Sequence, residues 1–225
     1  MLTKTKLLPV VIAILLVSSG LLVVFFGNLG SSSKPIRVAC VGDSITEGFG
    51  YPNELWMLLG ADYSVGNFGA GGSTVSLNSD KPYMNQSAFH EAKAFLPDIV
   101  VIMLGTNDAS SDYRYIDEFV ADYKKLISEF QTLPSKPEVW LVKPPPIFNN
   151  SLGPIDTNLE QGVIPRIEQV ANELGLPLID VHAALLNHPE YFLDGVHPTI
   201  QGTKIIASEV NIAIISANKT SATVF

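Results

Sequence analysis

Four short motifs in this chain carry side chains that together could transfer an acyl group. A Gly-Asp-Ser motif ends at Ser44, a glycine-rich run covers residues 67–72, a Gly-Thr-Asn-Asp motif contains Asn107, and Asp194 precedes His197 by three positions. A serine can act as a nucleophile, a histidine can take its proton, a carboxylate can orient that histidine, and amide groups can hold an oxyanion. The residue types therefore indicate acyl transfer through a serine.

The segments around these motifs alternate between two hydrophobic patterns, which predicts an α/β fold. Short apolar runs bounded by Gly, Pro or Asp predict strands at residues 36–41, 63–67, 98–104, 138–142 and 177–181. Apolar positions repeating at three and four predict helices at residues 53–59, 87–95, 116–133, 159–174 and 201–215. Such alternation predicts a mainly parallel five-stranded sheet covered on both faces, with functional residues at the carboxyl ends of the strands.

The order of the four motifs resembles that of the SGNH, or GDSL-type, hydrolases, a large family of serine esterases. The resemblance covers about residues 36–217 and implies a three-layer α/β/α, flavodoxin-like fold. In the pattern of that family, Ser44 takes the place of the nucleophile. Asp194 and His197 match the Asp-x-x-His motif, which supplies the acid and the base of a catalytic triad.

The resemblance also implies an oxyanion hole. The family has its oxyanion glycine five residues after an asparagine, and counting from Asn67 gives Gly72. Asn107 matches the asparagine whose side-chain amide completes the hole, together with the backbone amides of Ser44 and Gly72. No metal or organic cofactor is implied, because fixed donors would meet the developing negative charge.

The same residue types also have simpler interpretations. A serine after Gly-Asp often only caps a turn, but the other three motifs, in the expected order, favour Ser44 as a nucleophile. Among the histidines, only His197 has a carboxylate three residues before it. His90 has no partner motif, and we expect His182 and His188 to be solvated.

Two aspartates and the cysteine have simpler predicted roles. We interpret Asp43 as a turn former whose carboxylate binds neighbouring backbone amides, and we expect Asp108 to do the same after Asn107. Cys40 lies within the first predicted strand and should behave as a small buried hydrophobe. Because it is the only cysteine, the chain can form neither an intrachain disulfide nor a cysteine-based zinc site.

The charge balance disfavours nucleic acid as a partner. The chain has 14 Lys and Arg against 22 Asp and Glu, for a net charge of −8. Residues 1–35 contain three of the basic residues, Lys4, Lys6 and Lys34, and no acidic residue. The rest of the chain therefore has a more negative net charge than the whole. Such a domain repels a phosphate backbone.

Residues 7–26 are almost wholly apolar and uncharged, which predicts an N-terminal transmembrane helix. About 20 helical residues reach about 30 Å, the thickness of the hydrocarbon core of a bilayer. Lys4 and Lys6 precede the segment, so the positive-inside rule predicts a membrane-anchored protein with an extracytoplasmic catalytic domain. A cleaved signal peptide, which would leave a secreted protein, is the alternative. The predicted organisation is an anchor or signal segment at residues 1–30, a linker at 31–35, the hydrolase domain at 36–217 and a flexible tail at 218–225.

The predicted substrate is a short-chain ester. The connections that could shape the site, residues 73–86, 109–115 and 143–157, are polar or proline-rich, and no amphipathic insertion suggests the lid of a long-chain lipase. The glycine-rich and Gly-Thr-Asn-Asp motifs resemble those of family members that remove acetyl groups, including carbohydrate acetylesterases. We therefore expect a serine esterase acting on small-molecule or glycan esters, with O-acetyl groups the first choice. A lysophospholipase or thioesterase, an O-acyltransferase and an inactive binding module of the same fold are the alternatives.

Overall fold

A computed structural model describes residues 34–110 and 115–222 of the chain, with side chains as far as residue 217. Five strands form one sheet, and each adjacent pair is parallel. The strands are β1 (Ile36–Gly42), β2 (Tyr63–Gly69), β3 (Ile99–Met103), β4 (Glu138–Lys143) and β5 (Leu178–Asp180). Their order across the sheet, β2-β1-β3-β4-β5, is that of the flavodoxin-like doubly wound fold. The prediction of a five-stranded parallel sheet is confirmed.

Helices connect the strands and cover both faces of the sheet. They are α1 (Ser44–Gly48), α2 (Tyr51–Leu59), α3 (Ser87–Ala94), α4 (Phe119–Gln131), α5 (Asp156–Asn158), α6 (Ile164–Leu174), α7 (Val181–Leu185) and α8 (Ile200–Ala222). A π-helical stretch, Leu159–Val163, joins α5 to α6, and short 3₁₀ turns cover Tyr83–Asn85, Asn107–Ala109 and Pro189–Tyr191.

Two apolar clusters, one on each face of the sheet, form the core. Alternate residues of β1 point to opposite faces, so Ala39 and Val41 join one cluster while Val38 and Cys40 join the other. The first cluster includes buried residues of α3, α4 and α6, and the second includes buried residues of α2, α7 and α8. The molecule therefore has the three α/β/α layers that were predicted. Full burial raises the pKa of the Cys40 thiol to about 12, which confirms its prediction as a buried hydrophobe.

The helix boundaries differ from the sequence-based prediction by up to five residues at the starts of α2, α4 and α6, and by more at the end of the last helix. The last helix runs over Ile200–Ala222 and not over residues 201–215, so the backbone of residues 218–222, predicted as part of a flexible tail, is helical. No proline or glycine follows Gly202 to terminate it. Two short helices, α1 and α7, were not predicted, because five residues are too few to establish a helical period.

The predicted transmembrane helix at residues 7–26 lies outside the described residues. Within residues 34–110 and 115–222, no helix combines the length and the apolar composition that a membrane span requires.

Candidate active site

The loops that carry the four motifs meet at the carboxyl edge of the sheet. Gly42, the last residue of β1, is in register with Gly69 of β2 and Met103 of β3, so the three strands end at the same level. Ser44 begins α1 directly after β1, Gly72 follows β2, and Asn107 follows β3. This is the edge at which parallel α/β sheets bind their ligands.

Ser44, His197 and Asp194 form a continuous chain of hydrogen bonds. Ser44 Oγ lies 2.9 Å from His197 Nε2, and His197 Nδ1 lies 2.8 Å from Asp194 Oδ2. The other carboxylate oxygen of Asp194 accepts hydrogen bonds from the N–H groups of Val196 and His197, at 3.0 and 2.8 Å. Partial burial acts to raise the pKa of Asp194, but the hydrogen bonds from His197 and Val196 outweigh it and lower that pKa. The carboxylate is therefore ionised beside the imidazole.

Glycine at position 195 allows the loop between Asp194 and His197 to approach closely the loop that follows β4. Gly195 has φ of +86°, and a Cβ there would lie 2.5 Å from the carbonyl oxygen of Asn149. Its carbonyl accepts a hydrogen bond from the N–H of Phe148 at 2.7 Å. A larger residue at position 195 would clash with this backbone, so the loop that carries His197 would have to shift.

The residues predicted as oxyanion donors lie around Ser44. Ser44 is the first residue of α1, so its N–H has no acceptor within the helix. Gly72 has φ of +72°, and its N–H donates to no other residue in the described part of the chain. A Cβ on the adjacent Gly71 would lie 3.6 Å from Ser44 Cβ, which brings this loop against the nucleophile. Asn107 Nδ2 donates to the carbonyl of Ser73 at 3.0 Å, in the same loop.

Asp43 is buried beneath these groups. Its carboxylate accepts from the N–H of Ile45 at 3.0 Å and so caps α1, which confirms its predicted role. Its second oxygen lies 3.4 Å from Asn107 Nδ2. Burial raises the pKa of Asp43 to about 7, although the Ile45 hydrogen bond opposes that shift.

Asp108 was expected to bind neighbouring backbone amides as Asp43 does, and it binds amides of a second loop as well. Its buried carboxylate accepts from the N–H groups of Val75 and Ser76, at 3.0 Å each. These residues belong to the connection after β2, so Asp108 holds the loop of Gly72 against the loop of Asn107. Burial raises the pKa of Asp108 despite these hydrogen bonds.

The four histidines all lie in the described part of the chain, and His197 alone contacts Ser44. His90 is exposed and His188 is partly exposed, and His188 Nδ1 lies 2.9 Å from Glu190 Oε1. The prediction that His182 is solvated was wrong. It is buried, because α7 packs it against the chain after β4, where its Nδ1 lies 3.3 Å from the carbonyl oxygen of Pro144.

Sequence reasoning missed three side chains beside the site. The Phe49 ring stacks on the His197 imidazole, while Glu47 and Lys81 bind the backbone of Gly71. The sequence does indicate that Glu47 lies near the site, because it follows Ser44 by three residues and therefore lies on the same side of α1. The other two contacts depend on loop conformation alone.

Two depressions adjoin these groups. A cavity of about 250 Å³ is lined by Gly72, Thr74, Ser76, Ser79, Asp80, Lys81, Asn107, Asp108, Ser110 and Tyr115. A more open groove of about 490 Å³ is lined by Asn149, Asn150, Ser151, Leu193, Asp194 and Gly195. Most residues of both linings are polar, and part of each lining comes from the connections that were predicted to shape the site. Among the described residues, no group of three His, Cys, Asp or Glu side chains is arranged to hold a metal ion.

Comparison with known proteins identifies the family. The model of the GDSL-like lipase/acylhydrolase family matches residues 40–205. The chain belongs to this family. An acetylxylan esterase of Xylanibacter ruminicola is 37% identical to this GDSL-family chain over 206 residues, which cover 80% of the chain and 43% of the relative. The chain thus spans less than half of that relative.

Solved structures agree with the fold of a GDSL-family protein. An acetylxylan esterase from Geobacillus stearothermophilus is 25% identical, with a TM-score of 0.64 over 79% of this chain and 93% of that one. A carbohydrate acetylesterase from Sinorhizobium meliloti is 19% identical, with a TM-score of 0.63 over 81% of this chain and 99% of that one.

Proposed function

We propose that this protein is a serine esterase that hydrolyses short-chain acyl esters, in particular O-acetyl groups on carbohydrates. The observation that carries the proposal is the hydrogen-bonded chain from Ser44 through His197 to Asp194, with separations of 2.9 and 2.8 Å. A serine that only capped a turn would need neither an imidazole at this distance nor a carboxylate behind it.

The proposed reaction has two steps. His197 Nε2 takes the proton of Ser44 as Oγ attacks the ester carbonyl carbon, and Asp194 stabilises the imidazolium that forms. The imidazolium then gives this proton to the departing alcohol oxygen, which leaves an acyl group on Ser44. In the second step His197 activates a water molecule, which attacks the acyl carbon and releases the acid and the free serine.

The oxyanion of each tetrahedral intermediate would accept hydrogen bonds from the N–H groups of Ser44 and Gly72 and from Asn107 Nδ2. Neither backbone N–H is engaged by another described residue, so both are available. Asn107 Nδ2 donates one hydrogen to the Ser73 carbonyl, and its contact with Asp43, at 3.4 Å, is long for a hydrogen bond, so the oxyanion would take the place of Asp43 as the second acceptor. These donors would supply the stabilisation of charge without a metal ion.

The acetyl and carbohydrate assignment rests on two kinds of support. The relatives in Xylanibacter ruminicola and Geobacillus stearothermophilus are acetylxylan esterases, and the catalytic mutants solved for the second change an aspartate and a serine, the residue types of Asp194 and Ser44. The cavity beside Gly72 and Asn107 is lined by hydroxyl and charged groups, which suit a hydroxylated substrate better than a long acyl chain.

We also propose that the protein is exported and remains anchored by residues 7–26. Support comes from the apolar composition of this segment and from the lysines before it. The test is carbonate extraction of membranes from cells expressing the full chain, from which an anchored protein is retained. A soluble product beginning near residue 28 would instead identify a cleaved signal peptide.

The substrate proposal is tested with the purified full-length chain. Hydrolysis of 4-nitrophenyl esters from acetate to octanoate should be fastest for acetate, and acetylated xylo-oligosaccharides should release acetate. Both activities should be absent in Ser44→Ala. A preference for the longer esters would overturn the assignment in favour of a lysophospholipase or thioesterase. Faster transfer to an added sugar than to water would instead identify an acyltransferase.

A further inference from the structure

Two charged side chains bind the backbone of Gly71, the residue before the proposed oxyanion glycine. Glu47 Oε2 accepts a hydrogen bond from the Gly71 N–H at 2.8 Å. Lys81 Nζ donates to the Gly71 carbonyl oxygen at 2.6 Å. A Cβ on Gly71 would lie 2.7 Å from Glu47 Oε2, so glycine is what allows this close approach. Gly71 is therefore held on both sides by groups of opposite charge.

The Lys81 contact acts on the peptide unit that contains the Gly72 N–H. The carbonyl of Gly71 and the N–H of Gly72 belong to the same planar peptide group, so fixing the oxygen also fixes the direction of the N–H. A hydrogen bond donated to the carbonyl also polarises the group and makes its N–H a stronger donor. The Gly72 N–H has no acceptor among the described residues, which leaves it free for an oxyanion.

The Glu47 contact connects the two backbone donors of the proposed oxyanion hole. Glu47 and Ser44 lie in the same five-residue helix, α1, so the Glu47 side chain fixes the glycine loop relative to the nucleophile. The carbonyl of Glu47 also accepts from Asn67 Nδ2 at 3.1 Å, and Asn67 Oδ1 accepts from the N–H of Gly69 at 3.0 Å. Both the main chain and the side chain of Glu47 thus hold the segment that leads to Gly72.

The backbone of Lys81 is itself fixed, so its side chain starts from a defined point. The N–H of Thr74 donates to the carbonyl of Lys81 at 3.1 Å, and the N–H of Tyr83 donates to the carbonyl of Thr74 at 2.9 Å. These bonds close the base of the loop, from which Lys81 reaches back to Gly71. Both charged side chains are exposed, and exposed contacts of this kind contribute little to stability. Their effect is therefore expected in the reaction rather than in the folding.

We infer that Glu47 and Lys81 are positioning residues that align the Gly72 N–H with the Ser44 N–H as oxyanion donors. The inference rests on the proposed esterase function and extends it to two more side chains. Neither side chain contacts the triad, and as positioning residues neither would contact the substrate. Lys81 also lines the cavity of about 250 Å³, so direct contact with the substrate is the competing role. The two roles differ in their kinetics, because alignment of the oxyanion donors affects kcat whereas ground-state binding affects KM.

The test uses the full-length chain and 4-nitrophenyl acetate. Lys81→Met removes the hydrogen-bond donor with little change in shape, and Glu47→Ala removes the acceptor. Each substitution should lower kcat about tenfold, which is a smaller decrease than the loss of a whole oxyanion donor causes. KM should stay within about twofold, and the melting temperature within about 2 °C. Lys81→Arg and Glu47→Gln keep a donor and an acceptor, so each should recover most of kcat. Lys125→Met, on the exposed side of α4, is the matched control and should match the wild-type chain.

The outcomes distinguish this inference from the function on which it rests. An unchanged kcat in Lys81→Met, or a rise in KM alone, would overturn the positioning role. The proposed esterase function would still hold in that case if the wild-type chain shows Ser44-dependent hydrolysis. The positioning role would also be overturned if Lys81→Arg lost as much activity as Lys81→Met, or Glu47→Gln as much as Glu47→Ala. Absence of Ser44-dependent hydrolysis in the wild-type chain would overturn both.

Discussion

The Phe49 ring lies parallel to the imidazole of His197, with 4.7 Å between ring centroids and an interplanar angle of 16°. Phe49 follows α1 directly, and the Thr203 hydroxyl of α8 donates to its carbonyl at 2.9 Å. The segment after the nucleophile is thereby tied to the helix that follows the histidine. The ring covers one face of the imidazole, and we expect this contact to limit the rotation of His197.

Replacing Phe49 tests whether this stacking holds His197 in position. Stacking of aromatic rings contributes about 0.5–1.5 kcal/mol, so Phe49→Leu should lower kcat about 2–10-fold by letting the imidazole rotate. Phe49→Tyr keeps a ring of the same plane and should retain most of the activity. Steady-state kinetics on 4-nitrophenyl acetate measures both variants, and equal kcat in Phe49→Leu and wild type would contradict the role.

Asp194→Asn removes the carboxylate that faces His197 Nδ1. We expect kcat to fall about 10⁴-fold, as in other Ser-His-Asp triads, because the amide favours the wrong imidazole tautomer. The matched control is Glu190→Gln, since Glu190 contacts His188 at 2.9 Å on the exposed surface. Among the described residues, no serine forms a hydrogen bond with the His188 ring. That variant should keep full activity. Similar losses in the two variants would mean that Asp194 acts only through general effects of charge.

Asn107→Ala removes the side-chain donor of the proposed oxyanion hole. Loss of one such donor lowers kcat about 10²–10³-fold, with KM nearly unchanged, because the hydrogen bond strengthens in the transition state. The variant should be compared with wild type by steady-state kinetics after circular dichroism has verified its fold. A change confined to KM would assign Asn107 to substrate binding instead.

Asp43 should make the stability of the protein depend on pH. Its pKa is about 7 in the folded state and about 4 in an unfolded chain, so the folded state binds the proton more tightly. The free energy of unfolding therefore decreases as pH rises through this window. Asp43→Asn removes this titration and keeps the helix cap, so its stability relative to wild type should increase by about 2–3 kcal/mol from pH 5 to pH 8.

Urea unfolding at the two pH values measures this difference. Asp108 is also buried, but it is present in both proteins, so only its charge interaction with Asp43 enters the difference. The control Asp62→Asn, at an exposed turn before β2, should give the same difference from wild type at both pH values. The same result for Asp43→Asn would mean that Asp43 does not titrate in this range.

The sequence is informative about this fold and site where local patterns suffice. Short apolar runs between turn residues predict all five strands to within two residues, and parallel strands bring Ser44 and Asn107 to one edge. The Asp-x-x-His spacing predicts the Asp194–His197 contact, because three residues of a tight loop span that distance. The strand positions and the Asp194–His197 contact depend on neighbours in sequence, and the meeting of Ser44 and Asn107 follows from the parallel sheet that these strands predict.

The contacts of Glu47, Lys81 and His182 could not be predicted in the same way. Glu47 meets Gly71 only because Gly42 and Gly69 are in register, which is a property of the assembled sheet. Lys81 reaches Gly71 because the loop between them folds back at Thr74. His182 is buried by the chain that follows β4, and a single polar residue carries no signal of such packing.

Labelling with a serine-directed phosphonate tests the central claim, that Ser44 is the nucleophile, most directly. The full-length protein is inactivated with the reagent, digested and analysed by mass spectrometry, alongside Ser44→Ala. We predict one adduct, on Ser44, formed in step with the loss of acetate-releasing activity, and no adduct in Ser44→Ala. An adduct on any other serine, or hydrolysis that persists in Ser44→Ala, would contradict the account.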